Sequence, residues 1–208
     1  MVIQAVLHPD MWRPLLTLIL ASVVIMGSPG PSVLSAMAVG AAYGFRRSLM
    51  YACGLILGTI AVLFAVAIGL VTVVLSIPYG APLLLAASSI YILYLSFRIA
   101  TAPPLADQRD RSVVPAFGGG FLLAVANPKA YLAIAAVFAG TNIIREDQAF
   151  DAAIKIGLLS VMIVVIHLCW LLAGASLCRV LQNPIASRIV NVSLAACLVL
   201  TTAAAVLR

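Results

Sequence analysis

The sequence predicts an all-α membrane protein: six transmembrane helices forming two inverted three-helix repeats, with the first and fourth helices broken. Three observations carry that expectation. Hydrophobic residues make up 64% of the 208 and charged residues only 9%, with a mean hydropathy of +1.20; a soluble domain carries roughly 25% charge and 45–50% apolar residues. Apolar runs of about 20 residues, the length that crosses a bilayer, recur along the whole chain. Proline interrupts the first and fourth of these runs near their middles.

The six runs cover about 14–43, 49–76, 82–100, 117–140, 154–177 and 187–207. They make one polytopic domain over 1–208, with repeat one at about 14–100, a linker at about 101–116 and repeat two at about 117–208. The first run, led by Arg13 and continuing as Leu15–Met26, has the outline of a signal peptide. Its long leader contains Asp10 and no small-residue cleavage site follows, so it reads as an uncleaved first span.

Each broken run has its own chemistry. Gly27-Ser28-Pro29-Gly30-Pro31 stands in the middle of the first run, and two prolines around a glycine remove backbone donors and stop a helix. Asn127-Pro128-Lys129 stands in the middle of the fourth, about 98 residues later. An odd number of spans per repeat makes the second group enter the membrane from the opposite side, which is the pattern that marks a midplane transport site. A plain proline kink at each position is the plainer alternative. Inside a bilayer the freed backbone groups must be satisfied by protein or by water in a cavity.

Most of the remaining charge lies in the linkers. Arg46-Arg47 follow the first run, and Ser76 to Pro82 form a tight uncharged turn after the second. Asp107, Arg109, Asp110 and Arg111 occupy the linker after the third, while Arg145, Glu146, Asp147, Asp151 and Lys155 follow the fourth. With the N-terminus outside, the inner loops hold Arg46, Arg47, Arg98, Arg109, Arg111, Arg179 and Arg188, and the outer side holds Arg13, Arg145, Lys155 and Arg208. Seven basic residues against four predict both termini on the outer side.

Lys129 is a cation in the middle of an apolar run, at a cost of about 2.5–3.5 kcal/mol on insertion scales. Its partner is either a set of backbone carbonyls freed by a break, favourable at the negative end of a half-helix, or the anionic group of a substrate. The half-helix starting near Ser32 points its free N–H groups and positive dipole end into the same region. The pocket expected there suits a carboxylate, with Asn127 and Ser28 or Ser32 orienting the polar atoms. His167, near the centre of the fifth run with Trp170 one turn away, is either the proton-handling group or a neutral histidine hydrogen-bonded between helices. Asn191 in the sixth run reads as interhelical glue.

Gly40-x-x-x-Gly44 and Gly54-x-x-x-Gly58 read as small-residue ridges for close helix packing, within the chain in preference to dimerisation, with a homo-oligomer left open. Cys53, Cys169, Cys178 and Cys197 lie in apolar surroundings without Cys-x-x-Cys spacing and read as small apolar side chains. With only His8 and His167, they make no zinc site. No nucleotide-binding loop and no membrane acid–base pair is present, which argues against an ATPase or an intramembrane hydrolase. The net charge of +6 follows the membrane flanks and forms no contiguous basic surface, so nucleic acid is not an expected partner. The expected partners are membrane lipid and a small-molecule substrate, with no cofactor and no metal.

The ordered combination of motifs resembles the lysine-exporter family of amino-acid efflux proteins (LysE/RhtB). Pro29-Gly30-Pro31 followed by Gly44-Phe-Arg46-Arg47, Gly54 and Gly58 is similar to the family's Pro-Gly-Pro head and glycine ladder. Tyr91-Ile-Leu-Tyr94-Leu-Ser-Phe-Arg98 resembles the end of its third span, and Phe117-Gly-Gly-Gly120 through Asn127-Pro128-Lys129-Ala130 the head of its second half. Ser32 and Ser96 depart from the family: many members have Asp or Asn at the first position, and glycine is usual at the second.

The resemblance implies a small six-span exporter of bacterial inner membranes whose substrate is an amino acid or a derivative of one. The expectation is therefore a secondary transporter, not an enzyme, driven by the proton gradient. Its substrate-binding residues would be Ser28, Pro29, Gly30, Pro31, Ser32, Asn127, Pro128 and Lys129, and its proton-coupling candidate His167. The rival readings are export of another small solute, a thiol-relay membrane oxidoreductase and a non-transporting accessory subunit. The oxidoreductase needs a cysteine at each break, where this chain has none.

Overall fold

The computed structural model describes residues 12–69, 116–144, 146–176 and 183–206, together with Tyr79 and isolated positions between 86 and 101. Outside them lie His8, Asp10, most of the expected turn at 76–82, the linker at 102–114, Tyr91, Arg98, Arg145, Cys178, Arg179 and Arg208. The described elements are all helical: α1 Trp12–Ala21, α2 Pro31–Tyr43, α3 Phe45–Ala67, α4 Phe117–Val125, α5 Pro128–Ala139, α6 Gln148–Ser176 and α7 Pro184–Val206.

Helix α1 does not stop at Ala21. The Ser22 hydroxyl donates to the Leu18 carbonyl at 2.6 Å, and the chain then widens into a π-helical turn over Ser22–Met26, closed by Gly27 N–H on Ser22 O at 3.1 Å. Such side-chain bonding to the i−4 carbonyl bends helices, and π turns of this kind favour functional sites. Pro31 and Pro128 occupy the first turns of α2 and α5, where a missing N–H costs nothing. The α1–α2 and α4–α5 pairs are bent by 67° and 61°.

Among the described residues two helices, α3 and α6, are long and apolar enough to cross a membrane, and the two bent pairs raise the total to four if each is counted as one span. Large apolar side chains such as Leu20, Val24, Leu132 and Val161 face outward from the described helices. A surface of this kind suits lipid and is unsuited to water.

Several boundaries differ from expectation. The second run was expected to continue to 76, but α3 ends at Ala67, followed by Ile68 and Gly69 at φ 73°. The fifth run was expected from 154, but α6 starts at Gln148 because the Asp147 carboxylate accepts from Ala149 N–H and Phe150 N–H, both at 3.0 Å. Asp151 and Lys155, expected among the linker charges, therefore lie within the first turns of α6. They form a buried ion pair at 2.7 Å, and Asp151 also accepts from the Ile143 and Ile144 amides. Gly40 lies against the Leu171 backbone of α6, while Gly44 makes the corner between α2 and α3 at φ 76°, braced by the Ser48 hydroxyl on the Val39 and Gly44 carbonyls.

Lipid tails are as apolar as leucine, so close packing between backbones carries helix association in a membrane. Gly54 of α3 lies against the Phe117 backbone of α4, and Gly174 of α6 against the Met37 backbone of α2, each too close for a Cβ. One core cluster includes Ala36, Tyr51, Leu55, Leu123 and Leu194; a second includes Leu18, Leu63, Ile134, Leu159 and Ile163.

Candidate functional site

The two breaks meet. Lys129, in the first turn of α5, reaches back to the chain between α1 and α2 and donates to Ser28 O at 2.7 Å, Ser28 Oγ at 2.8 Å and Pro29 O at 2.7 Å. An ammonium has three protons, and these three acceptors match them. Among the described residues no carboxylate lines the site, so the charge is held by neutral oxygens.

Gly30 makes this reach workable. A Cβ on Gly30 would stand 2.6 Å from Lys129 Cδ and 2.8 Å from Nζ, inside the space that the lysine fills. The Ser28 hydroxyl also donates to Ile25 O at 2.8 Å, fixing its lone pair toward Lys129. Trp170 of α6 donates from Nε1 to Gly27 O at 3.1 Å, satisfying another carbonyl that the break frees.

The two half-helices differ at their N-termini. Asn127 caps α5, its Oδ1 accepting from Lys129 N–H at 3.1 Å, and its Nδ2 donates to Ser32 Oγ at 2.8 Å. Helix α2 has Gly30 at its N-cap position, with no side chain to cap it. The N–H groups of Ser32 and Val33 have no acceptor among the described residues, and both residues are buried. Uncapped amides and the positive dipole end of a 13-residue helix thus face the region that holds Lys129.

These groups border a cavity of about 40 Å³ whose wall includes Ser28, Gly30, Ser32, Asn127, Lys129 and His167. Of the expected site residues, Pro29, Pro31 and Pro128 do not line it; they shape the two breaks. Thr59 of α3 is a lining residue that the sequence did not single out, since one threonine in an apolar run carries no signal. Ile134 and Ile163 supply an apolar side. At about 10–15 Å³ per water, the cavity has room for roughly three waters and is too small for an amino acid until its wall parts.

His167 is 4% exposed, and its Nδ1 lies 2.8 Å from Ile163 O. The expected bond between helices is replaced by one to the preceding turn of its own helix. Nε2 is buried without a hydrogen-bond partner among the described residues, a state that costs about 1–3 kcal/mol. Asn191 falls in α7, but its side chain lies outside the described residues. Among the described residues no group of His, Cys, Asp and Glu could hold a metal ion, and Cys53, Cys169 and Cys197 are exposed, away from the cavity.

The arrangement can hold an anion. One cation, two uncapped amides and several neutral hydrogen-bonding groups surround a small space bordered by apolar residues.

Comparison with known proteins bears on what that anion belongs to. A family model described as LysE type translocator matches residues 23–208. The chain is 32% identical over 149 residues to the cysteine/O-acetylserine efflux protein of Salmonella typhi, a match covering 71% of this chain and 75% of the relative. It is 28% identical over 148 residues to the protein of the same description from Escherichia coli (strain K12), with the same coverage of 71% and 75%. No solved structure matches the chain significantly.

Proposed function

The chain belongs to the LysE type translocator family, and on that premise we propose that it exports a small amino acid or amino-acid derivative across the bacterial inner membrane, in exchange for protons. It is a membrane transporter, not an enzyme. Its curated relatives are named for efflux of cysteine and O-acetylserine, which makes these two the first solutes to test.

The observation that carries the site assignment is the position of Lys129 across both breaks. A substrate carboxylate is a stronger acceptor for an ammonium than a carbonyl or a hydroxyl. It takes Lys129 from Ser28 and Pro29 and accepts as well from the Ser32 and Val33 amides. Ser28, Gly30, Ser32, Asn127 and Lys129 form the binding surface, while Pro29, Pro31 and Pro128 hold the half-helices apart. Exchange of partners at Lys129 unties the two breaks, so carboxylate binding and widening of the cavity are one event.

In this reading the six spans form two inverted repeats with both termini outside, and rocking of one half against the other exposes the cavity to each side in turn. His167, on the cavity wall, is the proton-coupling group.

Efflux from proteoliposomes loaded with labelled L-cysteine or O-acetyl-L-serine tests the function. Release that depends on the protein and accelerates under an inward proton gradient is the expected result. Retention of both solutes under every gradient would reject the reading in favour of a different solute or an accessory role.

A further inference from the structure

The wall around Lys129 accounts for a carboxylate and leaves the ammonium of an amino acid without an evident acceptor, since among the described residues no Asp or Glu lines the cavity. Most polar atoms there are engaged. The Ser28 hydroxyl and the Ser28 and Pro29 carbonyls accept from Lys129. Ser32 Oγ accepts from Asn127, Asn127 Oδ1 accepts from Lys129 N–H, and the Thr59 hydroxyl donates to Leu55 O at 2.7 Å. His167 is different: the residue belongs to the cavity wall, and its Nε2 is buried without a partner among the described residues.

Its tautomer follows from its neighbour. Ile163 O can only accept, so Nδ1, 2.8 Å away, carries the proton of the neutral ring, and Nε2 presents a bare lone pair. We propose that this lone pair accepts a hydrogen bond from the α-ammonium of the substrate, so that Lys129 and His167 together recognise a zwitterion. The assignment rests on the amino-acid efflux reading above and specifies how the same site would couple to protons.

One lone pair serves one proton. With the site open to the outer side, a proton from water binds Nε2 and the ammonium leaves with its own protons. With the site open to the inner side, Nε2 releases that proton to water and accepts an N–H from the next substrate. No covalent bond to the substrate forms or breaks, and one proton enters for each zwitterion that leaves. Mutual exclusion at a single atom supplies the exchange without a membrane carboxylate.

The groups facing His167 support this assignment. Among the described residues Lys129 of α5 is the one other ionisable residue on the cavity wall; Met26, Ser32, Val33 and Thr59, contributed by the first break, α2 and α3, do not titrate near neutrality. On its own helix, Asp151 and Lys155 pair with each other, roughly 18–24 Å along the axis from His167.

The test compares L-cysteine with 3-mercaptopropionate, which keeps the carboxylate and thiol and lacks the ammonium, as ligands of the full chain in nanodiscs. The wild type should prefer L-cysteine by at least about tenfold. His167→Leu should remove that preference by weakening L-cysteine alone, leaving 3-mercaptopropionate unchanged. His167→Gln, which retains an acceptor, should restore part of the preference and abolish its dependence on pH. A preference that survives in His167→Leu, or an equal loss of both ligands, would overturn the assignment while leaving the efflux reading intact. A wild type that binds neither ligand would overturn both.

Discussion

Lys129 Nζ lies 2.7 Å from the carbonyl oxygen and 2.8 Å from the hydroxyl oxygen of Ser28, a residue 101 positions earlier in the chain. This contact joins the two interrupted helices through a charge that has no counter-charge on the cavity wall among the described residues. Neutral acceptors satisfy the ammonium without neutralising it, so the site keeps a net attraction for an anion. A buried ion pair would have cancelled that attraction.

Lys129→Met should abolish export while leaving the protein in the membrane. The apolar side chain fills a similar volume, and the carbonyls of Ser28 and Pro29 lose a donor at a cost of about 1–3 kcal/mol. Efflux from proteoliposomes and the yield of folded protein in detergent measure the two effects separately. Unchanged efflux would remove Lys129 from the site.

Gly30→Ala and Gly174→Ala should fail in different ways. The new Cβ at Gly30 meets the flexible side chain of Lys129, which moves off its acceptors. Export should fall by about tenfold or more, with helix packing intact and a stability loss no larger than that of Lys129→Met. At Gly174 the Cβ meets the Met37 backbone, which cannot yield, so overpacking should destabilise the fold by about 1–3 kcal/mol. Thermal unfolding beside efflux discriminates the two outcomes.

Asp151→Ala should destabilise the protein by about 3–5 kcal/mol, because it leaves Lys155 buried at 3% exposure without its partner. The double variant Asp151→Ala/Lys155→Met should recover much of that loss. If the two single changes add in the double variant, the pair is not coupled.

His167→Gln should export at a rate that no longer varies with pH between 5 and 8, since His167 is the cavity-wall group among the described residues whose ordinary pKa falls in that range. Initial efflux rates at fixed substrate across this range provide the measurement. A profile matching the wild type would place proton coupling elsewhere in the chain.

The sequence by itself determined the helical class, the membrane character and the family. Each is written in local signals: apolar runs set by bilayer thickness, and motifs such as Asn127-Pro128-Lys129 read within a few residues. The prolines that open α2 and α5 were legible for the same reason, as a missing N–H acts within one turn. Tertiary structure alone decided what these residues meet. It set Lys129 against Ser28 and Pro29, made Gly30 the clearance for a lysine chain, and capped α5 while leaving the amides of α2 free. It also buried Asp151 with Lys155 and turned His167 onto its own helix, so that its Nε2 is left without a partner among the described residues. Contacts between residues a hundred positions apart depend on how two bent helices cross, and no periodicity within either segment encodes that crossing.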